Sequence, residues 1–155
     1  MPGTPNTILL EPANGFQLVR ERLSGGAIIP GHLVAKNAAD AFIVHPGAGL
    51  NAQKLFALPN VSNGGGIDQA YASGETVSAL YAQPGDLIYG WVAASAAACI
   101  INSPLESAGD GTVRIATADA ATDTAQRDAI VGYCAVAVDN SGNAAGPVRI
   151  QIEVA

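Results

Sequence analysis

The sequence predicts an all-β protein: a single β-sandwich or β-barrel domain with short helical turns and an extended N-terminal arm. Three observations predict it. Turn-forming residues recur every eight to twelve positions from Phe16 onward, helical periodicity is hard to find, and the last apolar segment alternates strictly. In that segment Val148, Ile150, Ile152 and Val154 interleave with Arg149, Gln151 and Glu153, which sets four branched apolar side chains on one face. That face must be buried.

Residues 1–15 hold three Pro and two Gly around one apolar patch, Ile8-Leu9-Leu10. Pro2 and Pro5 disfavour helix for the residues before them. The segment reads as an extended arm that becomes ordered on a neighbouring surface, with a frayed terminus as the alternative. The domain then spans 16–155. Strands are expected over 16–22, 32–36, 41–45, 53–58, 76–82, 87–92, 99–102, 113–117, 129–138 and 148–154. The run from Ala129 to Val138 is apolar at nearly every position, as in a central strand covered on both sides, with Gly132 allowing a bend or bulge. Asn140-Ser141-Gly142-Asn143 turns it into the final strand. Between Ala116 and Asp128 the chain is Ala, Thr and Asp-rich; Thr124-Ala125-Gln126-Arg127 reads as a helical turn capped by Asp123 or Thr124, or as a surface loop. Asn60 to Asp68, with its Gly64-Gly65-Gly66 run, is the most flexible internal stretch by composition.

Nearly half of the 155 residues are hydrophobic, but 30 are Ala and only 38 are Ile, Leu, Val or Phe. A methyl releases far less free energy on burial than a Leu or Phe does, at roughly 25 cal/mol per Å². Such a chain is expected to gain stability by packing on copies of itself or on a scaffold. The net charge is −6, with two Lys and five Arg that do not cluster in sequence, so the phosphate neutralisation behind nucleic-acid binding is missing. No signal peptide is legible at the start. The nearly apolar run from Gly90 to Ile101 is about half the length needed to cross a bilayer, and no membrane span is expected.

Few residues suggest chemistry. His32 and His45 sit beside Pro-Gly turns and read as hydrogen-bonded surface or turn residues rather than bases. Gly64-Gly65-Gly66 has no following Lys and is no phosphate loop. Asp110, Asp119, Asp123 and Asp128 lie close together without the alternation of a Ca²⁺ loop. Asp86 and Asp110 are expected to accept backbone N–H bonds in their turns. Cys99 and Cys134 read as buried thiols, a disulfide being the alternative. Trp91, beside Tyr89, is core filler or an interface anchor. With no grouped nucleophile, base and acid, no catalytic residue, cofactor or metal is expected.

Gln83-Pro84-Gly85-Asp86 leads into Leu87-Ile88-Tyr89-Gly90-Trp91-Val92, and Pro104-Leu105-Glu106-Ser107-Ala108-Gly109-Asp110-Gly111 leads into Val113-Arg114-Ile115. Pro-Gly and Asp-Gly supply the backbone angles of tight reversals. In this order, with an Ala-rich segment between, the stretch from Tyr71 to Thr117 resembles the decoration, or cement, proteins of tailed-bacteriophage heads. The resemblance implies a β-rich domain on the outer face of a head built from an HK97-type major capsid protein, commonly as trimers, with the arm reaching a neighbour. It implies synthesis in the host cytoplasm and a place on the virion surface. Ile8, Leu9 and Leu10 then become candidates for capsid contact, and Trp91 for an interface. A sugar- or receptor-binding module of a tail spike is a second class, although aromatic residues make up only 5% of the chain. A small hydrolase is a third.

Overall fold

The computed structural model describes residues 4–117 and 128–155. The expected helical turn over 124–127 lies outside them. Among the described residues eleven strands appear: β1 (Leu9–Glu11), β2 (Leu18–Leu23), β3 (Leu33–Lys36), β4 (Phe42–Val44), β5 (Leu55–Ala57), β6 (Thr76–Tyr81), β7 (Leu87–Val92), β8 (Pro104–Ser107), β9 (Val113–Ile115), β10 (Ile130–Cys134) and β11 (Val148–Val154). The all-β expectation holds. No helix among the described residues is long and apolar enough to cross a membrane.

The strands form two sheets. The first runs β1-β7-β11-β10-β8-β9, and a parallel pairing of β9 with β7, Val92 to Val113, closes five of its strands into a barrel with β1 as an added edge. Closure leaves those five strands without free edges. The second sheet runs β2-β6-β5-β3-β4 and curls until Ser24 forms a parallel bridge with Phe42.

The alternation of β11 works as expected: Ile150, Ile152 and Val154 are buried in the barrel core with Ile88, Val92, Leu105, Val113 and Val131. Leu33, Phe56 and Leu80 of the second sheet extend the same core. The other face of that sheet buries Val34, Phe42, Leu55, Ala57, Val77 and Ala79 against Ile28 and Tyr71. In β10, Gly132 sits where the pairing with β8 shifts register, and a Cβ there would lie 2.4 Å from the Glu153 carbonyl oxygen. Only glycine admits that approach.

Four expectations are corrected. The segment from Ile8 to Ala13 is not a free arm, because β1 pairs with β7 and Ile8 is fully buried in the main core. Residues 99–102 are no strand: Cys99 makes an isolated bridge with Val138, the chain turns, and Ile100 and Ile101 are exposed. Pro104–Ser107, read as part of a turn, is β8, with its proline at the first strand position, where a missing N–H is tolerated. Finally, β10 is covered on one side only. A barrel strand has an outer face, and Tyr133 points there, 41% exposed.

Candidate functional site

Three features hold the N-terminal segment to the domain. Tyr89 N–H donates to the Ile8 carbonyl at 2.7 Å, Leu9 and Glu11 pair with Ile88 and Leu87, and Ala13 N–H donates to the Asp86 carboxylate at 2.7 Å. The second Asp86 oxygen accepts the Gln83 N–H at 2.7 Å, so its expected turn role is met and extended to clamping the arm. Ile8 is therefore unavailable to an outside surface in this fold. Leu9 and Leu10 stay half-buried. β1 ends its sheet, so its outer edge has no strand partner among the described residues. Beside it opens a cleft of about 460 Å³ lined by Leu9, Val19, Leu58 and Val61. Val61 is 79% exposed, on a 3₁₀ turn whose start is capped by the Asn60 side chain.

Trp91 is neither core nor open surface. Its indole N–H donates to the Pro30 carbonyl at 2.9 Å, and the Arg149 guanidinium lies 3.8 Å over its ring. Arg149 also donates to the Pro30 and Tyr89 carbonyls at 2.9 and 3.2 Å, to the Ile67 carbonyl, and to Asp68 Oδ1 at 2.9 Å. One guanidinium thus ties two loops of the second sheet to the barrel wall. Gly31, at φ +90°, lets that loop pass, since a Cβ there would lie 2.4 Å from Arg149 Nη1.

His32 meets Trp91 edge-on, with centroids 6.4 Å apart, and its Nδ1 accepts the Ile29 N–H at 3.2 Å. Burial lowers its pKa to about 4, against the opposing pull of the Asp110 carboxylate and with a smaller contribution from Arg149. The ring is neutral in the folded protein at pH 7. The unfolded chain takes up a proton near pH 6.5 and the folded chain only near 4, so this group's contribution is present above pH 6.5 and is lost as pH falls towards 4. Between pH 7 and pH 5 that loss amounts to about 2 kcal/mol. Urea unfolding should show it, and His32→Asn should have a correspondingly shallower pH dependence; identical slopes would contradict the assignment.

The buried polar cluster at the β8 end resembles a nucleophile with its base only on paper. His45 Nδ1 lies 2.8 Å from Ser107 Oγ, and its Nε2 lies 3.2 Å from the Asn51 carbonyl. That carbonyl can only accept, which places the imidazole proton on Nε2 and leaves Nδ1 to receive the serine O–H. Ser107 is fully buried and its Oγ also accepts the Gly109 N–H at 3.1 Å. That oxygen is closed to solvent in this fold. Next to it Glu106, 3% exposed, accepts Arg114 Nε at 2.9 Å and the Thr117 hydroxyl at 3.3 Å. Both groups cross-link the β8–β9 hairpin and the turn after β4.

Cys99 and Cys134 are free and buried, as read from sequence. Burial pushes the Cys99 thiol up to about 11 and raises Cys134 as well, which suppresses the thiolate form of both. Asp110 accepts the Thr112 N–H at 3.0 Å, its expected turn role. Asp119 and Asp123 lie outside the described residues. Among the described residues, no three His, Cys, Asp or Glu side chains gather to hold a metal ion.

Val19 and Val61 were missed as surface candidates. Val19 sits in Leu-Val-Arg-Glu-Arg-Leu, which has no period-two alternation and is exposed on both faces, so no local pattern marks it, and nothing marks Val61 by type. Comparison with known proteins found no family model that matches the chain and no curated protein similar to it.

Proposed function

We propose that the chain is a head decoration protein of a tailed bacteriophage, which binds the outside of the assembled shell and bridges subunits of an HK97-type major capsid protein. The observation that carries this reading is the β1 edge, unpaired among the described residues, beside a cleft that Leu9, Val19, Leu58 and Val61 line in part. An unpaired strand edge offers main-chain hydrogen bonds to an extended partner segment, and the cleft offers burial for its side chains. The resemblance of Tyr71 to Thr117 to cement proteins supports the same reading. The arm's role changes: Leu9 and the cleft, rather than Ile8, supply the apolar contact. Self-association as a trimer rests on the resemblance to cement proteins, since only Ala57, Ala79, Ala82, Ala96 and Ala129 are Ala among the buried apolar residues.

A ligand that binds only the intact shell stabilises it by mass action, by roughly 2.7 kcal/mol per site at about one hundred times its Kd. The test is a double substitution, Val19→Glu with Val61→Glu. Both residues are exposed, so folding stability should change by no more than about 0.5 kcal/mol for each. Co-sedimentation with expanded heads built from an HK97-type major capsid protein that the wild type decorates should weaken at least tenfold. Heads decorated equally well by the variant, or no such head decorated by the wild type, would overturn the proposal. Analytical ultracentrifugation of the free and head-bound chain decides the trimer.

A further inference from the structure

We propose that the open end of the second sheet is a binding groove for an extended acidic peptide segment, which adds as a strand to the free edge of β2. The sheet order ends in β2 and β4, and these strands meet only at the Ser24 to Phe42 bridge. The outer backbone edge of β2 over 18–22 therefore has no strand partner among the described residues. It borders a cavity of about 370 Å³. That volume lies in the range of small-ligand and side-chain pockets.

The register decides what faces the cavity. Leu18, Arg20 and Arg22 pair with Tyr81, Ala79 and Val77, which puts all three on the concave face. Glu21 points the other way, where it accepts the Ser78 hydroxyl at 3.2 Å. Lys36 lines the same cavity, so three of the chain's seven Lys and Arg residues converge there in a protein of net charge −6. One carboxylate answers them. Asp40 takes Arg22 Nε at 2.8 Å and Lys36 Nζ at 3.2 Å. Arg20 makes no ion pair or side-chain hydrogen bond among the described residues, and it is exposed. The floor is apolar, with Phe42 and Leu55 buried and Leu18 and Tyr81 at the mouth.

Free backbone edge, surplus positive charge and apolar floor together select one ligand chemistry. An extended segment presents alternate side chains to one side, roughly 6.6 Å apart. A carboxylate at one such position meets the Arg20 fork, where two parallel N–H bonds form, and an apolar side chain two residues on covers Leu55 and Phe42. A basic or neutral segment leaves Arg20 unanswered. Binding here does not require that the chain decorate a head, and the test contains no head.

The probe is a blocked, fluorescein-labelled hexapeptide, Thr-Glu-Thr-Leu-Thr-Glu, titrated with the full chain and read by anisotropy at low salt. Saturable binding is expected, weakened about tenfold to a hundredfold by Arg20→Glu and less by Arg20→Gln, with both variants checked for folding by circular dichroism. A peptide with Lys in place of Glu should bind R20E and not the wild type. Methylation of alternate backbone nitrogens should abolish binding. The assignment fails if no saturable binding occurs, if R20E holds the acidic peptide within twofold of the wild type, or if the methylated peptide binds equally. It also fails if the wild type dimerises and Arg20→Glu abolishes the dimer, since a second copy then occupies the groove.

Discussion

Ile152→Asp is expected to unfold the domain. Ile152 is fully buried at the middle of β11, directly opposite Ile88 of β7 and beside Cys134 of β10. A carboxylate there has no partner within the barrel, since Ile150, Val131 and Leu105 share the same core. Burying it costs more than the whole stability of many domains, or forces uptake of a proton. Loss of more than about 4 kcal/mol is expected, read as absent near-UV circular dichroism and no cooperative urea transition. Ile152→Val, which removes one methylene, should cost only about 0.5 to 1.5 kcal/mol. A cooperative transition for I152D near the wild-type midpoint would mean that the final strand is not packed in the barrel.

Deleting residues 1–13 should destabilise the domain strongly, which reverses what a free arm would imply. The deletion removes Ile8 from the core, the β1 pairing, and the Ala13 N–H bond to Asp86. Loss of a buried Ile side chain alone costs about 2 to 5 kcal/mol. At about 2 to 4 °C per kcal/mol for a chain of this size, the melting temperature should drop by roughly 10 °C or more. Deleting residues 1–6 leaves Ile8 and β1 in place and should change little. Equal melting of the long deletion and the intact chain would restore the arm to a frayed terminus.

The contrast between these deletions marks where sequence reasoning stopped. Ile8-Leu9-Leu10 between prolines carries the composition of a segment that cannot fold alone, and that inference about autonomy is sound. It says nothing about docking on the chain's own barrel. The partner, β7, lies nearly 80 residues away, and no local pattern encodes such a pairing. The error at β8 has the same origin. Pro-Leu-Glu-Ser shows one apolar residue and two polar ones, so it reads as a turn; Glu106 and Ser107 become strand residues because Arg114 and His45 receive them. At 99–102 the reverse occurs. Ile100 and Ile101 invite a strand, but the adjacent turn, with Asn102 at φ +69°, reverses the chain before a ladder forms.

The sequence by itself determined the fold class, the turns and most strand positions, because period-two alternation and Gly, Pro, Asn and Asp placement act within a few residues. It also determined the buried face of β11 and the turn-capping roles of Asp86 and Asp110. Only the tertiary structure decided barrel closure by β9 on β7, the burial of Ile8, the stacking of Arg149 on Trp91, and which strand edges remain open. Those features depend on register between distant segments, and that register follows from how the whole core packs rather than from any stretch read alone.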